Sequence, residues 1–251
     1  MLTHPTLEQL RTLGLSGMAK AFQDLKDQPD AKALGHADWL ALLVEQEVTA
    51  RRQKRFESRA RAASLRHPAS VEDIDFRAAR GLDRGLMLKL ASCDFIRAHH
   101  GLLITGPCGV GKSWIACALG HKACREDFSV AYHRLPRLLA ALALARADGR
   151  HAKMLKALAR VDLLILDDWG PETFDEVQRR DILEIVEDRY QRRSTIVTSQ
   201  VPVGAWHDLV GNPTIADAVL DRLVHDAYRI ELTGESLRKR RRAADAPLDP
   251  A

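Results

Sequence analysis

Gly101-Leu102-Leu103-Ile104-Thr105-Gly106-Pro107-Cys108-Gly109-Val110-Gly111-Lys112-Ser113-Trp114-Ile115-Ala116-Cys117-Ala118-Leu119 decides the fold. From Gly106 to Ser113 every fixed position of the phosphate-loop pattern G-x-x-x-x-G-K-[ST] is met. Glycines let the backbone curl so that its N–H groups face phosphate oxygens. The run before the loop reads as a buried strand, and the run after it as an apolar helix. Strand, glycine loop and helix, in that order, place phosphates at a helix N-terminus. Gly106, Pro107, Cys108, Gly109, Val110, Gly111, Lys112, Ser113 and Trp114 are therefore expected to line an ATP site. Lys112 is expected to meet the β- and γ-phosphates during hydrolysis, and the Ser113 hydroxyl to hold Mg²⁺.

Such a site also needs an acidic strand end. Val161-Asp162-Leu163-Leu164-Ile165-Leu166-Asp167-Asp168 supplies one: its apolar run suits a strand covered on both faces. Asp167 is expected to serve Mg²⁺ through water, and Asp168 to orient the attacking water. Many related ATPases carry Glu there, and the shorter Asp predicts slow, partner-assisted hydrolysis. A third strand, Ser194-Thr195-Ile196-Val197-Thr198-Ser199-Gln200, is β-branched and ends in polar residues. Thr198 or Gln200 could reach the γ-phosphate from there.

Outward from these motifs, strands are expected near 102–105, 129–132, 162–167, 194–199 and 228–232. Helices are expected near 112–125, 135–147, 151–159, 175–190 and 214–225. This alternation implies an α/β fold with a parallel five-stranded sheet and helices on both faces. Residues 1–66 instead read as a small all-helical domain. Leu7, Leu10 and Leu13 lead to Gly14 and Gly17, which read as breaks, and a longer helix runs from Asp38 to about Leu65. A linker over 67–80, a helix over 83–99, an ATPase domain over 81–242 and a disordered tail over 243–251 complete the expected organisation. No apolar run approaches the ~18 residues of a membrane span. The start of the chain has no signal-peptide layout. Cys93, Cys108, Cys117 and Cys124 lack zinc or disulfide spacing and read as free thiols, which points to the cytoplasm.

The net charge of +4 is unevenly spread. Arg51, Arg52, Lys54, Arg55, Arg59, Arg61 and Arg66 crowd one helix, with Glu57 the only acid among them. A stripe of this kind suits a duplex DNA backbone, with binding that is sequence-independent and weakened by salt. A second basic run, 238–242, reads as a solubilising tail, a second DNA contact or an arginine reaching the nucleotide, and Arg238, which follows a strand, is the one placed to face the γ-phosphate. Asp221-Arg222-Leu223 fits either an intrahelical ion pair or an arginine reaching the next subunit.

Several stretches together resemble the IstB-like ATP-binding proteins of insertion-sequence transposons. They are Gly106 to Ser113, Leu166-Asp167-Asp168-Trp169-Gly170, Thr198-Ser199-Gln200-Val201-Pro202, Gly211-Asn212-Pro213-Thr214-Ile215-Ala216-Asp217-Ala218, Asp221-Arg222-Leu223, and Arg229 to Ser236. Leu7 to Phe22 also looks like that family's start. The resemblance implies an AAA+ P-loop ATPase that oligomerises with ATP on duplex DNA, largely without sequence preference, and recruits or activates a transposase. It implies that Arg222 is a trans arginine finger, that the end of the third strand carries the first sensor, and that residues 1–66 bind DNA or a partner. The other reading is a replicative helicase loader with similar machinery.

Overall fold

The computed structural model describes residues 4–26, 28, 34–77 and 80–237. The expected tail over 243–251, the basic run 238–242 and Arg238 lie outside them. The chain divides into two compact units, one up to Ser58 and one from Arg59.

The first unit holds α1 (Pro5–Thr12), α2 (Ser16–Lys26) and most of α3 (His36–Ala63). Gly14, with φ of 73°, separates α1 from α2. Gly17 does not act as a break. It lies inside α2, where a Cβ would stand 2.6 Å from the Gln46 carbonyl oxygen of α3. The missing side chain lets two helix backbones meet. Glu47 of α3 then accepts hydrogen bonds from the Gly17 and Met18 amides at 2.7 and 3.1 Å. These are first-turn amides that no helical carbonyl can satisfy.

The compact units divide at Ser58, upstream of the boundary expected at residue 66. The reason is local packing, since Ala63 is fully buried and the Leu65 side chain lies against Gly120. The expected helix over 83–99 is two helices, α4 (Arg84–Ala91) and α5 (Asp94–Arg97). Cys93 adopts a left-handed φ of 61° between them, a break the apolar periodicity does not signal.

The second unit contains the parallel sheet. Its strands are β1 (Gly101–Thr105), β2 (Val130–Arg134), β3 (Leu163–Trp169), β4 (Ser194–Ser199) and β5 (Ala227–Glu231). They lie in the order β2-β3-β4-β1-β5, all parallel. The nearly continuous apolar runs of β1 and β3 follow from cover on both faces, whereas the edge strands β2 and β5 are mixed and partly exposed. Successive strand residues point to opposite faces. Leu103, Leu164, Leu166 and Val197 join the core beneath α7 (Leu135–Ala147), α8 (His151–Arg160), α9 (Glu176–Arg189) and α11 (Pro213–Val224). On the other face lies α6 (Lys112–Arg125), so close that a Cβ on Gly120 would stand 2.9 Å from Ile165 Cδ1.

Two helix starts carry the sequence's own stop signs. Asp175 and Gln178 form a reciprocal capping box at α9, and Asn212 caps α11 just before Pro213. A short helix, α10 (Trp206–Val210), was not expected, because five residues give no periodic signal. Trp206 is fully buried there, with Nε1 donating to the Val201 carbonyl at 3.0 Å.

Candidate nucleotide site

The phosphate loop leaves the carboxyl end of β1. β4 separates β1 from β3, so the ends of three adjacent strands converge. Gly106 and Gly109 have φ of 143° and 86°. Both also face a close neighbour. A Cβ on Gly106 would stand 2.1 Å from the Leu232 carbonyl oxygen, and one on Gly109 2.1 Å from Ser236 Oγ. The strap after β5 therefore braces the loop, with the Leu232 amide on Thr105 O at 2.8 Å and the Leu237 amide on Gly109 O at 3.0 Å.

Lys112 is buried and folds back onto the loop, donating from Nζ to the carbonyls of Gly106 and Pro107 at 2.6 and 2.7 Å. Burial draws its ammonium below the usual lysine range. An ammonium whose hydrogen bonds, among the described residues, go to neutral carbonyls of a phosphate loop fits phosphate oxygens.

Asp167 is fully buried at the end of β3. Its Oδ1 accepts from Ser113 Oγ at 2.7 Å and from Thr198 Oγ1. Its Oδ2 accepts from the Tyr132 hydroxyl at 2.5 Å and lies 3.7 Å from Arg66 Nη1. Burial, then the bond to Asp167, pushes the Tyr132 phenol well above its ordinary value. A serine hydroxyl beside a carboxylate is a hard oxygen pair suited to Mg²⁺.

Asp168 has a different setting. The β3–β4 register slips between Leu166 and Trp169, and Asp168 takes a left-handed φ of 63°. This turn sends its carboxylate to Arg134 at the end of β2, with Nε at 2.8 Å and Nη2 at 2.7 Å. Both of these contacts fall on Asp168 Oδ2, and neither on Oδ1. Of the two polar candidates at the end of β4, Thr198 is the one brought to the acids. Its hydroxyl bonds Asp167 and accepts the Asp168 amide at 3.2 Å. Gln200 is exposed beyond the strand.

A profile of the family described as IstB-like ATP binding protein matches residues 8–245. The chain belongs to this IstB-like family. It is 60% identical over 242 residues to the insertion sequence ATP-binding protein y4pL of Sinorhizobium fredii (strain NBRC 101917 / NGR234), covering 96% of this chain and 99% of that one. It is 31% identical over 229 residues to the insertion sequence IS21 ATP-binding protein of Pseudomonas aeruginosa, covering 91% and 86%. Among solved structures, DnaI matches with a TM-score of 0.57 at 24% identity, over 66% of this chain and 92% of that one. The DnaC helicase loader matches at 0.54 and 20%, over 65% and 96%. The replication initiator DnaA bound to AMPPCP and single-stranded DNA matches at 0.55 and 16%, over 74% and 58%. The protein is thus an ATP-binding, insertion-sequence-related member of the AAA+ ATPase fold. Among the described residues no helix is long and apolar enough to cross a membrane.

In this IstB-like chain Arg222 sits at the far end of the sheet from its own phosphate loop. It closes α11, which leads into β5, and Ala227 at the start of β5 pairs with Gly101 at the start of β1. Its Nε lies 2.8 Å from Glu187 Oε2 of α9, and its Nη1 donates to the Ala218 carbonyl at 2.8 Å. The partner is on another helix, not the neighbouring Asp221.

The basic run divides as well. Arg51, Arg52, Lys54, Arg55 and Arg61 are all exposed. Arg51 pairs with Glu47 at 2.7 Å, and Arg59 with Asp127 at 2.5 Å. Arg66, read with the stripe, instead faces Asp167. Tyr132 and Arg134 went unnoticed in the sequence. Their alternation on β2 marks a strand, and nothing local tells that this strand ends beside the acids. Of the four free thiols, Cys108 is exposed, and burial pushes Cys93 and Cys124 up to about 11.

Proposed function

We propose that this protein is a transposition helper that assembles on duplex target DNA when it holds ATP, recruits or activates a transposase, and resets by hydrolysis. One observation carries the reading: Arg222 lies at the opposite end of the sheet from its own phosphate loop, in a chain whose relatives are named for insertion sequences. An arginine so placed can complete a nucleotide site only on a neighbouring copy. Lys112 and the loop amides bind the triphosphate. Ser113 and Asp167 hold Mg²⁺, whose charge neutralises the phosphates. Asp168 orients water through its other carboxylate oxygen, and a neighbour's Arg222 reads the γ-phosphate. Hydrolysis removes the group that Arg222 senses and loosens the assembly.

Arg52, Lys54, Arg55 and Arg61 supply exposed cations for phosphates of duplex DNA, whatever its sequence. The likeness to DnaI and DnaC favours a second reading, a loader of a replicative helicase. Sedimentation with duplex DNA tests the first. Large assemblies are expected with a non-hydrolysable ATP analogue and not with ADP, and Arg222→Ala is expected to bind ATP yet fail to assemble. Equal assembly with ADP refutes the switch. Capture of a replicative helicase, and of no transposase, favours the loader.

A further inference from the structure

We propose that Arg80 is a second cation of the nucleotide site, a positioning residue beside the phosphate loop whose buried charge is balanced by the nucleotide's phosphates. The inference rests on the reading of Gly106 to Ser113 as an ATP site. Arg80 lies in the segment before α4 and is only 5% exposed. Its Nη1 donates to the Val110 carbonyl at 3.2 Å, and its Nη2 to the Asp75 carbonyl at 3.1 Å. Both acceptors are neutral. Its Nε is buried with no hydrogen-bond partner among the described residues. Asp75 is the acid that acts on it, yet the Asp75 carboxylate turns to the Arg77 amide at 2.8 Å.

A guanidinium stays charged in a protein, and a buried charge without a counter-ion is strongly unfavourable. The structure nonetheless keeps this one against the loop. A Cβ on Gly111 would stand 2.9 Å from Arg80 Nη1, and Gly111 directly precedes Lys112. The Arg80 carbonyl also accepts the Thr233 amide at 3.0 Å, which ties it to the strap that braces Gly106 and Gly109. The guanidinium thus meets the loop at Val110 and Gly111, one residue before Lys112. Its charge adds to that of Lys112 without touching the reacting atoms. A bare structural brace would need the hydrogen bonds alone; a charge in a low-dielectric setting acts on the number of phosphates.

Equilibrium binding of fluorescent ATP, ADP and AMP analogues to the full chain separates the two. Arg80→Gln keeps donors and removes the charge. It is expected to weaken ATP roughly tenfold, ADP less, and AMP hardly at all. Equal weakening of all three nucleotides, or none, overturns the proposal. If Arg80→Gln does not fold, Arg80→Lys decides. An ATP-to-AMP preference within about twofold of the parent supports the charge, and a drop of about tenfold sinks it. Lys112→Ala is the companion control. If it too binds ATP normally, the reading of the loop has failed; if it alone loses ATP, only the role of Arg80 has.

Discussion

Asp167 and Glu47 are both buried carboxylates ringed by donors with an arginine close by, and their donors differ in kind. Asp167 collects the hydroxyls of Ser113, Thr198 and Tyr132, with Arg66 at 3.7 Å. Glu47 collects two backbone amides at the start of α2 and the Arg51 guanidinium at 2.7 Å. Hydroxyls rotate, and each keeps a lone pair for a metal. Backbone amides at a helix start point one way and need an acceptor. The donor set, not burial, distinguishes a site from a clamp.

Substitutions at the two acids test that distinction. The largest effect is expected at the acid proposed to hold Mg²⁺: Asp167→Asn should lower ATP turnover on the order of 10³-fold while thermal unfolding shifts by a few degrees. Unchanged turnover would remove Asp167 from the site. Next comes the clamp's neighbour. Gly17→Ala forces a methyl to within 2.6 Å of a backbone oxygen and should destabilise the helical unit by about 3 kcal/mol in denaturant titration, with ATP affinity intact.

Glu47→Gln should follow at about 2 kcal/mol near neutral pH. The Arg51 hydrogen bond, then the two amides, hold the Glu47 carboxyl below its ordinary value against the opposing effect of burial. A depressed acid stabilises above its unfolded pKa and loses that contribution as pH falls through the folded value. The gap between parent and variant should therefore close below about pH 4. A gap that widens in acid would contradict the clamp.

Tyr132→Phe removes one donor from Asp167 and should shift the Mg²⁺ concentration for half-maximal nucleotide binding by about tenfold. No shift would make Tyr132 mere packing. The smallest effects belong to the basic stripe. Arg52→Ala or Arg61→Ala should each reduce the salt-dependence slope of duplex DNA binding by about 1. Arg51→Ala, whose cation already pairs with Glu47, should do less to binding and more to stability. Equal slopes for all three would mean that pairing does not shield Arg51.

Much of the fold was legible because its signals are local. α6 and α7 span the expected 112–125 and 135–147, and β4 spans the expected 194–199. A period of two or 3.6, with Asn212-Pro213 or Asp175 at a boundary, needs only a dozen residues to declare itself. Features shorter than that window were missed: α10, the Cys93 kink, and the slip that turns Asp168 toward Arg134. Gly17 was misread because a glycine that breaks a helix and one that admits a neighbour look alike in one dimension. Arg66 was grouped with the DNA stripe on spacing alone.

By itself the sequence determined the chemistry available: a phosphate loop at Gly106 to Ser113, two acids at a strand end, a basic stripe, and the strand–helix alternation that imposes a parallel sheet. Tertiary structure alone decided the partners. It put Arg134 on Asp168, Tyr132 and Arg66 at Asp167, Arg80 beside Gly111, and Arg222 at the far end of the sheet. The physical reason is one of range. Periodicity and caps act over a few residues, whereas these pairs join distant parts of the chain. Each arginine could equally have stayed in water, so only the packed sheet determines which carboxylate or carbonyl it meets.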